Sequence, residues 1–294
     1  MSFSADSGVY YIEHAHVPVR MAMSTDSSNP SVPVVGWSVN DDILDHMWLI
    51  TPVSGEKNTY HIRNLVTGTY MDLDRGSSGD GAAITGYYPW EPAENQKWIV
   101  KQVKEGIWKI QNKKSKTFAD LLNGGSANGT KIVGWKGDWD YKSSDRQNWT
   151  FNRQSGIIDG DMKDIITYNQ LIGQNVQSFA PNRIYLTLSK DRLREIWRYS
   201  GLQDNSSRRR PDVFDEDALS FVYKSEVAKW GNSQFKADRF TIFCGVIYGS
   251  DSQGGRCACN WVIKDRKIIF FDPSTGAFSD DAPFKGFSPS LAIF

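Results

Sequence analysis

Short apolar segments separated by clusters of Gly, Ser, Asn and Asp fill the first half of the chain. Examples of these segments are YYI, TYMDL, AITGYY, WIV and TFADLL. Such spacing is typical of short β-strands joined by turns, and it does not have the period of an amphipathic helix. The first half is therefore predicted to be all-β.

The same pattern recurs three times, with a period of about 50 residues. The closing tryptophans lie 50 and 51 residues apart, and an aromatic residue ahead of each recurs at intervals of 50 and 48 residues, the two sets being Trp48, Trp98, Trp149 and Trp37, Tyr87, Trp135. One copy of about four strands cannot bury its apolar face alone, whereas three copies can share one core. We therefore predict a closed barrel with a cap and pseudo-threefold symmetry.

Each repeat closes on a motif of the form Q-x-W. Gln96-Lys97-Trp98 and Gln147-Asn148-Trp149 match it in full, and the first repeat has His46-Met47-Trp48 instead. Three such motifs in register, each preceded by a G-W or G-Y pair, resemble those of the ricin-B β-trefoil lectins. The resemblance implies a β-trefoil over residues 1–153 and carbohydrate binding as its function. The tryptophans are predicted to form the core, where each stabilises the fold by a few kcal/mol.

The second and third repeats contain the residue types that a sugar site needs. A sugar offers hydroxyl groups and an apolar face of C–H groups, so its site combines a carboxylate or amide with an aromatic ring. The candidates are Asp72, Tyr87, Tyr88, Trp90, Asn95 and Gln96 in the second repeat, and Asp120, Trp135, Trp139, Arg146 and Gln147 in the third. The resemblance implies that both aspartates bind sugar hydroxyls and that the glutamines orient them. The alternative is that each Asp only forms an Asx turn before the loop that follows it.

The first repeat departs from this set. Ala22 stands where the other repeats have Asp, and His46 stands where they have Gln. We expect that its site is either lost or binds differently, through Arg20, Trp37, Asp45 and His46.

The second half has a mixed α+β pattern. Residues 189–201 are predicted to form a helix capped by Ser189, with Leu193, Ile196 and Trp197 on one face and Gly201 after its end. A second helix is predicted over residues 215–231, with acidic residues in its first turn and an apolar face of Leu219, Val222, Tyr223 and Val227. Residues 184–189, 240–249, 259–265 and 267–273 are predicted strands, the last three as neighbours in one antiparallel sheet.

Several segments from both halves resemble the mushroom chimeric lectins of the Marasmius oreades agglutinin and Polyporus squamosus lectin type. They are GTYMDL (68–73), DHMWL (45–49), KIQN (109–112), KTFADL (116–121), KWG (229–231), CNW (259–261) and FFDP (270–273). The resemblance implies a papain-like second domain, here residues 154–294, that mediates homodimerisation and in some members is a calcium-dependent cysteine protease. It also implies a galactosyl-type ligand, either α-galactosyl or α2,6-sialylated galactose, and the first-repeat signature favours the sialylated kind.

The protease residues of that family are replaced at the matching positions. The resemblance places the nucleophilic Cys at Glu216, the His at Cys257 and the orienting Glu at Asp272. All four histidines, at positions 14, 16, 46 and 61, lie in the first half, so no Cys–His pair can form within the second. We therefore predict a lectin that is not an enzyme. The alternative is a glycan-targeted hydrolase with a non-standard site of Glu216, Cys257 and Asp272.

Metal and disulfide chemistry have little support in the sequence. Asp215, Glu216 and Asp217 could bind Ca²⁺, or they could simply form a solvated acidic helix start. An odd number of cysteines, all near the end of the chain, argues against a disulfide framework, and Cys244 is expected in the core. Sugar binding is predicted to need no cofactor.

Charge and hydropathy limit the partners. The 34 basic residues balance the 34 acidic ones, which gives no electrostatic support for nucleic-acid binding. The sequence has no long apolar run for membrane insertion and no secretory signal pattern, so we expect a cytoplasmic protein, with unconventional release as the alternative. The predicted partners are glycans on glycoproteins or glycolipids, bound multivalently by a homodimer.

Overall fold

The structure is a computed structural model that describes residues 7–157, 176–177, 184–205, 214–264, 267–282 and 285–294. The chain divides into two compact units. The first consists of Met1–Gln154 together with Phe235–Asp238, and the second of Ser155–Gln234 together with Arg239–Phe294. The sequence pattern does not predict that residues 235–238 belong to the first unit.

The first unit is all-β, as the alternation of apolar and turn residues predicts. Its strands are β1 (Gly8–His14), β2 (Val19–Met23), β3 (Val32–Ser38), β4 (Met47–Pro52), β5 (Thr59–Asn64), β6 (Tyr70–Leu73), β7 (Ala82–Tyr87), β8 (Trp98–Lys104), β9 (Ile107–Asn112), β10 (Phe118–Leu121), β11 (Thr130–Trp135) and β12 (Trp149–Arg153).

Six of these strands close into a barrel and the other six form its cap. The antiparallel pairs β1–β4, β4–β5, β5–β8, β8–β9, β9–β12 and β12–β1 complete the ring. The hairpins β2–β3, β6–β7 and β10–β11 form the cap, where β3, β7 and β11 pair with one another. This arrangement is a β-trefoil, with one barrel-strand pair and one hairpin from each repeat.

The three closing tryptophans lie at the centre of the barrel. Trp48, Trp98 and Trp149 are fully buried in one hydrophobic cluster. Each indole N–H donates to a backbone carbonyl of the hairpin in its own repeat, and the acceptors are Met21 O at 3.0 Å, Met71 O at 2.7 Å and Ala119 O at 3.0 Å. The predicted core role of these residues is therefore confirmed.

The second unit combines two sheets with helices. Its strands are β13 (Ser155–Ile157), β14 (Val176–Gln177), β15 (Ile184–Leu186), β16 (Phe240–Ile242), β17 (Gly245–Ser250), β18 (Arg256–Lys264), β19 (Lys267–Asp272), β20 (Ala277–Ser279) and β21 (Ser288–Ile293), and its helices are α1 (Lys190–Tyr199), α2 (Leu202–Asn205) and α3 (Glu216–Gln234). One sheet has the order β13-β15-β16 and the other the order β14-β21-β17-β18-β19-β20.

The two predicted long helices are present. Helix α1 begins after Ser189, whose hydroxyl accepts from the Arg192 amide at 3.1 Å, and its predicted apolar residues are buried. Helix α3 extends three residues beyond the predicted end at residue 231 and packs Leu219, Tyr223 and Val227 into the core. Among the described residues, no helix has the length and hydropathy needed to cross a membrane.

The predicted strand over residues 240–249 is wrong, because the structure has two strands there. Strand β16 pairs in parallel with β15 in one sheet, and β17 pairs with β18 and β21 in the other. Gly245 begins β17 with no room for a side chain, since a Cβ there would lie 2.1 Å from the Trp261 indole nitrogen. Cys244, between the two strands, is buried, as predicted, and burial raises the pKa of its thiol to about 12.

One buried position of the barrel is filled by Asn in two repeats and by His in the first. Asn64, Asn112 and His14 pair with the closing tryptophans in equivalent register. The Asn64 Oδ1 and Asn112 Oδ1 atoms each accept two turn amides, and His14 Nδ1 accepts those of His16 and Val17 at 3.2 and 3.0 Å. The neutral imidazole nitrogen thus accepts the same pair of turn amides that an asparagine side-chain oxygen accepts in the other repeats. Burial lowers the pKa of His14 to about 4.

Replacing this histidine by Asn should weaken the acid sensitivity of the trefoil. The folded pKa of His14 lies below its unfolded value of about 6.5, so the stability it contributes is complete above that pH and is lost as the pH falls towards 4. We expect His14→Asn to remove up to roughly 2–3 kcal/mol of the difference between pH 7 and pH 4. Hydrogen exchange of residues 8–23, corrected for intrinsic rates, measures this. The His16→Asn variant is the control and should keep most of the acid sensitivity of the parent, because burial of His14 is the larger cause of its lowered pKa. Equal acid sensitivity in all three proteins would contradict the assignment.

Candidate functional site

The three cap hairpins present equivalent positions in the same register. Ala22, Asp72 and Asp120 lie opposite Val35, Thr85 and Val133, and the residues two positions earlier, Arg20, Tyr70 and Phe118, lie opposite Trp37, Tyr87 and Trp135. A short 3₁₀ turn precedes each closing Trp and places His46, Gln96 or Gln147 at its end. The sequence alignment of the repeats is therefore correct in three dimensions.

In the second repeat, two amides hold a buried carboxylate. Asp72 is 4% exposed, and Asn95 Nδ2 and Gln96 Nε2 each donate to one of its two oxygens at 2.9 Å. Gln96 Nε2 also donates to the Tyr88 carbonyl oxygen at 2.8 Å. The predicted trio of Asp72, Asn95 and Gln96 is thus brought together. Each carboxylate oxygen keeps a second lone pair with which to accept a ligand hydroxyl.

Burial changes the acidity of this carboxylate. Desolvation raises the pKa of Asp72 to about 6, although the hydrogen bonds from Gln96 and Asn95 act in the opposite direction. Asp72 has no ion-pair partner among the residues that the structure describes. Its charge is therefore stabilised mainly by the two amide dipoles, with a smaller contribution from the more distant charge of Lys114.

Exposed aromatic rings follow this carboxylate along the chain. Tyr87, Tyr88 and Trp90 are 38%, 50% and 47% exposed, and the Tyr87 and Tyr88 rings contact each other edge to face. Exposing so much aromatic surface costs free energy unless a ligand covers it. Tyr87 and Trp90 thus have the exposure that stacking on a sugar requires, and Tyr88 also presents its carbonyl oxygen to Gln96.

In the third repeat, the equivalent carboxylate has an amide and a guanidinium beside it. Asp120 is fully buried, Gln147 Nε2 donates to its Oδ2 at 3.0 Å, and Arg146 Nε lies 3.5 Å from its Oδ1. Gln147 Nε2 also donates to the Lys136 carbonyl oxygen at 3.1 Å, as Gln96 does to Tyr88. Burial raises the pKa of Asp120, and the Gln147 bond and the Arg146 charge oppose that rise.

The two predicted aromatic residues of the third repeat are both half-buried and have different contacts. Trp135 lies beneath the guanidinium of Arg146, whose central carbon is 5.2 Å from the ring centroid. Trp139 packs edge to face on Phe118 at 4.8 Å, two residues before Asp120, and Lys101 lies over its outer face. Trp135 is therefore the ring in contact with the Arg146 guanidinium that pairs with Asp120, and Trp139 belongs to the loop that follows.

A buried lysine that sequence reasoning missed organises this loop. Lys109 is fully buried, and its ammonium donates to the carbonyl oxygens of Asp138 and Asp140 at 3.0 and 2.7 Å and to Ser143 Oγ at 2.8 Å. Burial lowers the pKa of Lys109. Lys is rarely buried, so its residue type predicts an exposed position. The sequence signal for burial is its alignment between repeats, since Lys109 precedes Asn112 at the same offset as Tyr11 precedes His14 and His61 precedes Asn64.

The first repeat uses its buried arginine internally. Arg20 is 4% exposed, its guanidinium donates to Glu13 and Asp41 at 2.8 Å each, and it stacks on the Tyr11 ring at 3.8 Å. A buried charge with two carboxylate partners is costly to detach. The Arg20 guanidinium is therefore occupied by contacts within the protein, which does not fit the expectation that it binds a ligand.

The remaining first-repeat candidates do not form a carboxylate–amide pair. His46 is fully buried with no hydrogen bond to either ring nitrogen among the described residues, and its Nε2 lies 3.9 Å from Asp45 Oδ1. Burial lowers the pKa of His46 to about 4 and raises that of Asp45 to about 6, so burial disfavours the charged form of each. Trp37 is half-buried opposite Arg20. The first repeat thus lacks the arrangement of the other two.

The structure places two of the three degenerate protease positions, Glu216 and Cys257, on different sides of strand β18. Asn260 of β18 donates to the Ser220 carbonyl oxygen of α3 at 2.9 Å, so even-numbered residues of this strand face α3. Cys257 is odd-numbered and lies on the opposite face, because side chains alternate along a strand. Glu216 begins α3, whereas Asp272 closes the following turn through hydrogen bonds from Ser274 and Thr275. These contacts argue against Glu216 and Cys257 acting in one site, and Asp272 is engaged within its own turn.

Two acidic residues at the start of α3 interact with each other. A hydrogen bond between their carboxyl groups lowers the pKa of Asp215 and raises that of Asp217, as expected when the two share a proton. Within the described ranges, no three His, Cys, Asp or Glu side chains are grouped so as to hold a metal ion. The three cysteines are buried free thiols.

Comparison with known families matches both halves of the chain. A family model described as ricin-type beta-trefoil lectin domain-like matches residues 2–87, 44–135 and 94–159, and one described as agglutinin C-terminal matches residues 185–278. A comparison with curated protein sequences gives no match.

Two solved structures are similar over their full length. Polyporus squamosus lectin bound to the human-type influenza-binding epitope Neu5Acα2-6Galβ1-4GlcNAc is 36% identical, with a TM-score of 0.88 and 100% coverage of both chains. The PSL1a–E64 complex is 37% identical, with a TM-score of 0.86 and the same coverage. This chain therefore belongs to the mushroom chimeric lectin family of Polyporus squamosus lectin, in which a ricin-type β-trefoil precedes an agglutinin C-terminal domain.

Proposed function

We propose that the protein is a lectin that binds galactosyl-type glycans through the second and third repeats of its trefoil. The observation that carries this proposal is the buried carboxylate held by the Q-x-W glutamine in each of these repeats, Asp72 by Gln96 and Asp120 by Gln147. A fixed carboxylate beside an aromatic ring suits a sugar, whose hydroxyls donate and whose C–H face stacks. The first repeat, with Ala22 and the engaged Arg20, is proposed not to bind.

The proposed ligands are glycans of glycoproteins or glycolipids that end in galactose or in α2,6-sialylated galactose. Support comes from the similar Polyporus squamosus lectin, which is bound to an epitope of the second type. An α-galactosyl terminus is the alternative from the same family. Charge-assisted hydrogen bonds to buried carboxylates make either site sensitive to the orientation of single hydroxyl groups.

The second unit is proposed to dimerise the protein and to have no catalytic role. A dimer would present four trefoil sites, and several weak sites on one scaffold gain about 10²–10⁴ in avidity when they engage the same surface. The separation of Cys257 and Glu216 onto different sides of β18 supports the loss of catalysis. The family's papain-like domain fold, and calcium at Asp215–Asp217, stay proposals.

Removing both aspartates should abolish glycan binding. We expect the double variant Asp72→Ala and Asp120→Ala to lose binding on a glycan array and to lose haemagglutination, because no repeat keeps a carboxylate acceptor. Each single variant should keep one site per chain, measurable by isothermal titration calorimetry as half the parent stoichiometry. The matched control is Asp191→Ala, an exposed carboxylate on α1. Unchanged binding by the double variant would sink the proposal.

Binding at the second-repeat site should weaken in acid. The pKa of Asp72 is raised to about 6, and the ionised form is the better hydroxyl acceptor, so affinity should be constant above pH 7 and fall about tenfold per unit below pH 6. The measurement is calorimetric titration of lactosamine between pH 5 and 8 in the Asp120→Ala background. Adding Asp72→Asn, whose amide oxygen accepts a hydroxyl more weakly and does not titrate, should leave only weak binding that no longer changes with pH. A flat pH profile of the Asp120→Ala protein would refute this prediction.

The second unit should show no peptidase activity. We expect no cleavage of casein with or without Ca²⁺ and reductant, because the Cys257 thiol lies on the sheet face opposite α3 and burial raises its pKa. Papain serves as the positive control. Reproducible cleavage that disappears in Cys257→Ser would establish the alternative hydrolase.

A further inference from the structure

The residue before the Q-x-W glutamine differs in charge between the two candidate sites. This position is Asn95 in the second repeat and Arg146 in the third, and both lie in the 3₁₀ turn ahead of the closing Trp. Because the surrounding hydrogen bonds are equivalent, the two sites form an internal comparison in which one side chain changes from a neutral amide to a cation.

In the second repeat this side chain is turned inward. Asn95 is 5% exposed, and its amide nitrogen donates to Asp72 Oδ1 at 2.9 Å and to the Leu73 carbonyl oxygen at 3.1 Å. The site therefore combines a carboxylate with two amides and has no ion-pair partner for Asp72 among the described residues. An acidic sugar would approach a carboxylate that has no ion-pair partner there, which is repulsive.

In the third repeat the same position brings a positive charge to the site. The Arg146 side chain is 35% exposed, and its Nε faces Asp120 while its guanidinium lies over Trp135. The guanidinium balances the charge of Asp120, and the four N–H groups of its two terminal nitrogens have no acceptor among the described residues. Two parallel N–H groups of an arginine match the two oxygens of a carboxylate.

We propose that Arg146 makes the third-repeat site selective for glycans that bear a carboxylate beside the bound galactose, while the second-repeat site prefers neutral ones. This inference rests on the proposed lectin function. The carboxylate could come from a sialic acid or from a uronic acid, since both present the same anionic group. One chain would then bind a neutral and an acidic terminus at separate sites.

The test separates the two sites and the two charges. Isothermal titration calorimetry measures the affinities of N-acetyllactosamine, its α2,6-sialylated form and its glucuronylated form for two variants of the full chain. The first background carries Asp72→Ala, which leaves the third site, and the other carries Asp120→Ala, which leaves the second. We expect the acidic-to-neutral affinity ratio to be about tenfold higher at the third site. Arg146→Asn in the first background should lower that ratio to the value of the second site, and Asn95→Arg in the other background should raise it.

Three controls make the result decisive. Lys131→Gln removes an exposed positive charge from the neighbouring strand β11 and should leave the ratio unchanged. Arg146→Lys keeps the charge but loses the fork, so it should retain only part of the preference. Thermal unfolding confirms that each variant folds. If Arg146→Asn does not fold, the reciprocal Asn95→Arg variant still tests whether an arginine at this position raises the acidic-to-neutral affinity ratio.

The outcomes distinguish this inference from the lectin proposal. Preference for either acidic glycan at the third site supports it, and the two acidic ligands identify the source of the carboxylate. Equal ratios at both sites, unchanged by Arg146→Asn, overturn it while neutral binding preserves the lectin function. Absence of binding to all three glycans at both sites overturns the lectin proposal and this inference together.

Discussion

The hydrogen bond from each closing tryptophan to the cap hairpin of its own repeat is the contact on which the rest of the trefoil depends. It links a barrel strand to the residue immediately before the Ala22, Asp72 or Asp120 position. An unpaired indole N–H in this core would cost roughly 1–3 kcal/mol, so the bond fixes the hairpin relative to the barrel. With both ends fixed, the glutamine two residues before the tryptophan can meet the aspartate of the hairpin.

The trefoil and the carboxylate–glutamine pairs could be predicted from the sequence because they repeat. A period near 50 residues aligns each Asp with each Gln without knowledge of any distance. The internal pairing of Arg20 could not be predicted, since Asp41 lies 21 residues away on an irregular segment. The burial of Lys109 is harder to predict, because its three acceptors lie 29 to 34 residues further along the chain and only its alignment with Tyr11 and His61 indicates it.

The second unit shows where local patterns mislead. The apolar run over residues 240–249 has no breaker at Phe243 or Cys244, so it resembles one strand. The structure divides it between two sheets, with close packing of Gly245 on Trp261 at the start of the second strand. The position of Cys257 was predictable in part. Strand alternation alone puts residues 257 and 260 on opposite faces, and the contact of Asn260 with α3 then decides which face is which.

Closure of the barrel depends on all three repeats, whereas each candidate site is built within one repeat. The six-stranded ring needs all three repeats, whereas each carboxylate finds its glutamine within 24 to 27 residues of its own repeat. A difference between repeats, such as Asn95 in one and Arg146 in another, therefore changes only the site of its own repeat. A repeat can also lack the carboxylate without opening the ring, as Ala22 shows. In evolutionary terms, the shared scaffold lets three copies drift independently, so that loss, retention and exchange of the same side chains coexist in one folded chain.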